Sequence, residues 1–93
     1  MEQSKINSIL AELNSFMEIS IKENQPNVSG IKGTTTYVRE FHKQFADGLI
    51  KCGNECTRKA NDLASELTQS EREIIKPLLI SAMKDLQGKF KNA

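Results

Sequence analysis

The chain has 93 residues with 13 basic and 12 acidic side chains, a net charge of +1, and 38% hydrophobic against 27% charged residues. That length holds one domain and excludes a two-domain enzyme, while the composition is too apolar for a disordered tail and too charged for a membrane protein. Near neutrality also weighs against a nucleic-acid binder, because such binding needs several Lys or Arg side chains acting together on phosphates.

At 10.4 kDa a compact fold would expose about 5,400 Å² of the roughly 15,000 Å² open to the unfolded chain, which allows one modest core. The first ten residues include Glu2 and lack the apolar stretch of a secretory leader, so a cytoplasmic location is expected. The longest apolar run, Leu78 to Ile80, is far short of the ~18 residues that would suggest a membrane span.

Taken in chain order, Ile6, Leu10, Leu13, Met17 and Ile21 recur at helical spacing, with Ile9 and Phe16 widening the stripe. The spacing predicts a helix over 4–23 with Ser4 as its N-cap. Residues 24–33 contain Pro26, Gly30 and Gly33 among Asn, Gln and Ser, which favour turns and resist helix. This loop is longer than the 2 to 8 residues usual between bundle helices.

A second helix is predicted over 34–67. The threonines at 34 to 36 can cap its start, and its stripe reads Val38, Phe41, Phe45, Leu49, Cys52, Cys56, Ala60, Leu63 and Leu67. Gly48 and Gly53 interrupt its helix-forming residues at about 1 kcal/mol each relative to alanine. A break between Gly48 and Asn54, giving four helices, is the alternative to one long helix, and close approach of a neighbour is the other reading of the small residues.

The third helix is predicted over 70–91. Thr68/Glu71 and Ser70/Glu73 both match the hydroxyl-x-x-acid capping box, and the stripe is Ile75, Leu79, Ala82, Met83, Leu86 and Phe90, backed by Ile74 and Leu78. Pro77 removes a backbone donor inside this helix, which predicts a kink there or a main helix that starts at Pro77. The expected architecture is a single all-α domain over 1–93, an antiparallel three-helix bundle with a long central helix. A middle helix of ~50 Å beside two of ~30 Å leaves apolar stripe uncovered unless the loop or a kink relieves the mismatch. Such surface marks a contact with a partner or a second copy.

No chemical constellation competes with that reading. Cys52 and Cys56 continue the apolar stripe of the second helix and read as buried free thiols. His42 stands ten residues from Cys52, about 15 Å along the same helix, which defeats both a zinc site and a Cys/His nucleophile pair. Glu71 and Glu73 read as capping groups rather than as general acid and base. No enzyme activity, metal or cofactor is expected.

The expected function is a noncatalytic helical-bundle protein acting through protein–protein contacts, as an adaptor, regulatory subunit or inhibitor, with another protein or itself as partner. The candidate partner surface is Tyr37, Phe41, Phe45, Ile9 and Phe16. Phe41 and Phe45 are read primarily as core, with Arg39 and Lys43 on the solvated face. A small-ligand or anion binder using Lys32, Thr34 and Thr35 at the start of the second helix is the first alternative. Nucleic-acid binding through Lys84, Lys89 and Lys91 is the second, since the helix dipole already favours cations near that end.

Overall fold

The computed structural model describes residues 2–93, with side chains from residue 3 onward. It is all-α, with three helices and, among the described residues, no strand: α1 spans Glu2–Glu23, α2 Thr35–Ala64 and α3 Gln69–Asn92. Each helix packs on both others. Ser20 reaches Glu55 while Glu12 reaches Lys59, so α1 and α2 are antiparallel. Arg72 meets the end of α2 while Phe90 meets Phe45 near its start, so α2 and α3 are antiparallel too.

The boundaries follow local hydrogen bonding. Helix α1 begins at Glu2 rather than after Ser4, so Ser4 is a helical residue and not the cap. Ahead of α2, Thr34 N–H donates to Ile31 C=O at 3.3 Å, closing a four-residue turn whose third residue, Gly33, has φ +89°. That conformation strains any residue with a Cβ. The Thr34 hydroxyl then accepts the Tyr37 N–H at 3.2 Å and caps the helix.

Helix α2 runs unbroken through Gly48 and Gly53, so the four-helix alternative is not adopted. It stops at Ala64, three residues before the expected end, with Ser65 as its C-cap: the Ser65 N–H still donates to Asn61 C=O at 3.0 Å in the helical manner, and its hydroxyl donates to Asp62 C=O at 2.6 Å. Arg72 from α3 then donates to the Ala64 and Ser65 carbonyls at 3.1 and 2.9 Å, satisfying acceptors that a helix end leaves free. Thr68 and Glu71 form the reciprocal capping box, and α3 continues through the exposed Pro77 instead of starting there.

Two clusters make the core. One gathers Leu13, Met17, Cys52, Cys56, Leu86 and Phe90 with their neighbours, and the other Ile6, Ile9, Leu67 and Ile75; Leu63 and Leu79 touch both. Ile74 and Leu78, expected to back the α3 stripe, are exposed instead, because the 100° step carries them toward the outer face of the helix.

The bundle is long and thin, 55 × 17 × 16 Å with a radius of gyration of 16.2 Å, where about 12 Å is usual for this chain length. Its accessible surface is 6649 Å², about 1,200 Å² above the compact-fold scaling. The last residues of α1 reach only Gly48, where a Cβ would collide with the Asn24 carbonyl. The last turn of α3 reaches Phe45 and Gly48 through Phe90. Residues 35–44 of α2 therefore project about 15 Å beyond both neighbouring helices.

Candidate interaction surface

The overhang carries a row of aromatic rings. Tyr37 and Phe41 stack with centroids 6.4 Å apart, Phe41 and Phe45 at 6.3 Å, and Phe45 meets Phe90 edge-on at 5.3 Å. Helical i, i+4 spacing brings the first three rings together, and the last contact leads the row into the core. Burial grades along the same stripe: Val38 is 43% exposed and Phe41 39%, Phe45 and Leu49 are half-buried, and Cys52, Cys56 and Ala60 are buried. The expectation that Val38 and Phe41 are core is corrected by the axial offset of the helices, since no helix extends far enough to cover them.

Only the loop accompanies the overhang. Asn27 N–H donates to Gln44 Oε1 at 2.8 Å, and Gln25 Nε2 donates to Phe90 C=O at 3.0 Å. The aromatic face is flanked by Val38 and Gln44, with His42 at one outer edge and Glu40, which accepts from Gln44 Nε2 at 3.0 Å, at the other, whereas the helical step directs Arg39 and Lys43 to the other side. Both are exposed.

The other candidate contact residues lie elsewhere. Ile9 is buried in the second core cluster, so its side chain is not available to a partner as it stands. Phe16 is half-buried beside α2, with Lys59 Nζ 5.7 Å from its ring centroid. Lys59 also pairs with Glu12 at 3.5 Å. Neither residue shares the aromatic face of the overhang.

Lys32 occupies the turn before α2, and the Thr34 hydroxyl is engaged twice, accepting from Tyr37 N–H and donating to Ile31 C=O at 2.8 Å. Thr35 is the first helical residue. Two grooves of about 560 and 590 Å³ flank α2, and none of Lys32, Thr34 and Thr35 lines either. Lys89 and Lys91 lie in the last turn of α3, while Lys84 borders the groove between α2 and α3. The helical step separates Lys89 from the face shared by Lys84 and Lys91.

The thiols are in the interior. Cys52 and Cys56 are free and fully buried, and burial, reinforced by the neighbouring Cys52, pushes the Cys56 thiol up to about 11. A protonated, enclosed thiol is a poor nucleophile. Beside it lies a polar network that the apolar stripes do not reveal: Ser20 Oγ is 3.3 Å from Cys52 Sγ and 3.1 Å from Glu55 Oε1. Asn24 Nδ2 donates to the same carboxylate oxygen at 2.8 Å and to Ser20 Oγ at 3.2 Å. One hydroxyl proton cannot serve both neighbours, and the carboxylate is the stronger acceptor, which leaves the thiol as donor to Ser20. The network ties α1 to α2 in one axial register.

Among the described residues no three His, Cys, Asp or Glu side chains converge as a metal-holding group, and no helix is long and apolar enough to cross a membrane. No family model, curated protein or solved structure matches the chain, so its surface is read from its own residues.

Proposed function

We infer that this chain is a noncatalytic helical-bundle protein that works in the cytoplasm through protein–protein contacts, in the manner of an adaptor, regulatory subunit or inhibitor. Its first contact is with a second copy of itself through the aromatic overhang of α2. The observation that carries this reading is the run from Tyr37 through Phe41 to Phe45, a ring ladder that leaves the core with Phe41 and the neighbouring Val38 exposed and Tyr37 half-buried. Aromatic side chains supply most contact energy where they can be desolvated in the middle of an interface.

A second copy suits this face because the rings Tyr37, Phe41 and Phe45 and their immediate flanks Val38 and Gln44 carry no charge. Glu40 at the outer edge accepts from Gln44 Nε2 at 3.0 Å, and the helical step turns it away from the centre of a two-fold pairing. The area is also of the right order. Stable interfaces remove about 800 Å² from each partner, and a loss of that size would return most of the 6649 Å² chain's excess over the scaling for its mass. Buried reduced thiols fit a cytoplasmic setting.

Sedimentation equilibrium at micromolar concentration tests the reading on the full chain. The expected result is a dimer that Phe41→Glu converts to a monomer, one that melts like the wild type diluted to its monomer, since Phe41 is 39% exposed within the chain. A monomer at every concentration, or a dimer indifferent to Phe41→Glu, overturns it.

A further inference from the structure

A second unpartnered surface lies away from the overhang, in the 590 Å³ groove between α2 and α3. Its floor is apolar and built at helical spacing. Ala60 and Ala64 stand one turn apart on α2, and Ile75, Leu79 and Met83 form an i, i+4, i+8 row on α3. Small residues on one wall allow a third backbone to approach closely, and the larger row opposite offers holes for its side chains.

The rim is cationic. Arg72, Lys76 and Lys84 fall on the neighbouring i, i+4 row of α3, with Ile80 completing the series at 47% exposure. None of the residues lining this groove is acidic. Arg72 is occupied with the α2 carbonyls, and among the described residues none of the three cations forms an ion pair with a carboxylate. From Arg72 to Lys84 the row runs about 18 Å, the length of a helix of about twelve residues.

We propose that this groove is the docking site for an amphipathic helix of a partner protein, one that lays an apolar stripe on Ala64, Leu79 and Met83 and sets a flanking row of Glu or Asp against Lys76 and Lys84. The groove thereby becomes the seat of the fourth helix of a bundle. Charge selects this occupant. A second copy of the same groove would bring its own cations face to face across the two-fold axis, at a cost in affinity. A flat anionic bilayer would meet the lysines but could not enter the trough between two helices. The proposal rests on the reading of the chain as an interaction protein, but it uses a surface distinct from Tyr37, Phe41 and Phe45.

The test uses the full 93-residue chain, isotopically labelled for NMR. The probe is a synthetic amphipathic peptide of about eighteen residues, with Leu at its a and d positions and Glu along one flank. Shift changes are expected to centre on Ala64, Leu79 and Met83. Replacing the peptide's Glu by Gln should weaken binding about tenfold, the scale of two or three solvent-exposed ion pairs. The double variant Lys76→Glu with Lys84→Glu should weaken it at least as much while its melting curve stays unchanged, because both side chains are exposed and unpaired.

Failure to bind, equal binding of the Glu and Gln peptides, or shifts centred on Phe41 overturns the proposal. So does perturbation of the groove residues by phosphatidylglycerol vesicles when the peptide does not bind. The two surfaces separate cleanly: Phe41→Glu should leave peptide binding intact, and the double lysine variant should leave self-association intact. Loss of one reading is therefore distinguishable from loss of the other.

Discussion

Phe45 and Phe90 meet edge-to-face with their ring centroids 5.3 Å apart and their planes at 64°. This contact marks the end of three-helix packing: Phe90 is fully buried and Phe45 half-buried, while Phe41, one turn earlier on α2, is 39% exposed. The three phenylalanines therefore grade from core to surface along one line. Truncation should follow that grade. Phe90→Ala should cost about 3–5 kcal/mol, the usual range for a buried aromatic, Phe45→Ala less because part of its ring stays in water, and Phe41→Ala the least, under about 1 kcal/mol in the monomer. Urea unfolding of the three variants, at concentrations where the chain is monomeric, measures the order; equal losses would contradict it.

The two glycines inside α2 should respond to alanine with opposite signs. A Cβ at Gly48 would collide with the Asn24 carbonyl and stand 3.2 Å from Phe90 Cζ, whereas one at Gly53 meets nothing within 4 Å. Gly53→Ala should stabilise the chain by about 0.5–1 kcal/mol through helix propensity and the reduced freedom of the unfolded state. Gly48→Ala should destabilise it by more than about 1 kcal/mol, because α1 and α3 must both move to admit the methyl group. Thermal melts of the pair decide whether the close approach is real, and a stabilised Gly48→Ala chain would show that it is not.

The start of α3 depends on a carboxylate. Thr68 N–H donates to Glu71 Oε1 at 2.9 Å and Glu71 N–H donates to Thr68 Oγ1 at 3.2 Å. The backbone hydrogen bond from Thr68 holds the Glu71 carboxyl below its ordinary value against the opposing effect of burial, with help from the Thr68 side chain and Lys5. Lys5 Nζ lies 3.5 Å away. A lowered carboxyl pKa contributes stability above the unfolded value, ~4.3 for Glu, and that contribution is lost as pH falls through the folded value. Acid titration of stability should show this loss in the wild type and a reduced one in Glu71→Gln. Thr68→Ala should cost about 1 kcal/mol at neutral pH.

Cys56 should produce a dependence of the opposite kind at alkaline pH. Burial first, and then the adjacent Cys52, raise its thiol from the ordinary 9.0 to about 11, so the folded chain holds this proton more tightly than the unfolded chain. Its contribution is full below about 9 and disappears as pH climbs through the folded value. The difference in stability between wild type and Cys56→Ala should therefore shrink from pH 8 to pH 11. Iodoacetamide should also label both thiols far more slowly in the native chain than in urea, and rapid native labelling would contradict their burial.

Much of this molecule was legible in its residues. Apolar spacing marks three helices, Thr68 and Glu71 announce the capping box, and the positions of Cys52 and Cys56 on the stripe place them in the core, because each of these depends only on neighbours within a turn or two. Ser20 was the missed member of that face: it lies three residues after Met17 and seven after Leu13, and Asn24 follows it by four, so their position was readable. Their pairing with Glu55 and Cys52 was not, since those partners lie more than thirty residues away in sequence.

What the tertiary structure alone decided is the axial offset of the helices. A 100° step per residue tells which face of a helix is apolar, and a 1.5 Å rise tells how long it is. Neither says how far one helix slides along another. That is set where Asn24 abuts Gly48, where Gln25 and Phe45 meet Phe90, and where Ser65 ends α2 early so that Arg72 can close it. The same stripe therefore becomes core at Cys52 and open surface at Phe41. Likewise the α3 row from Ile75 to Met83 is apolar by sequence, but only its packing beside Ala60 and Ala64 turns it into a groove edged with lysines.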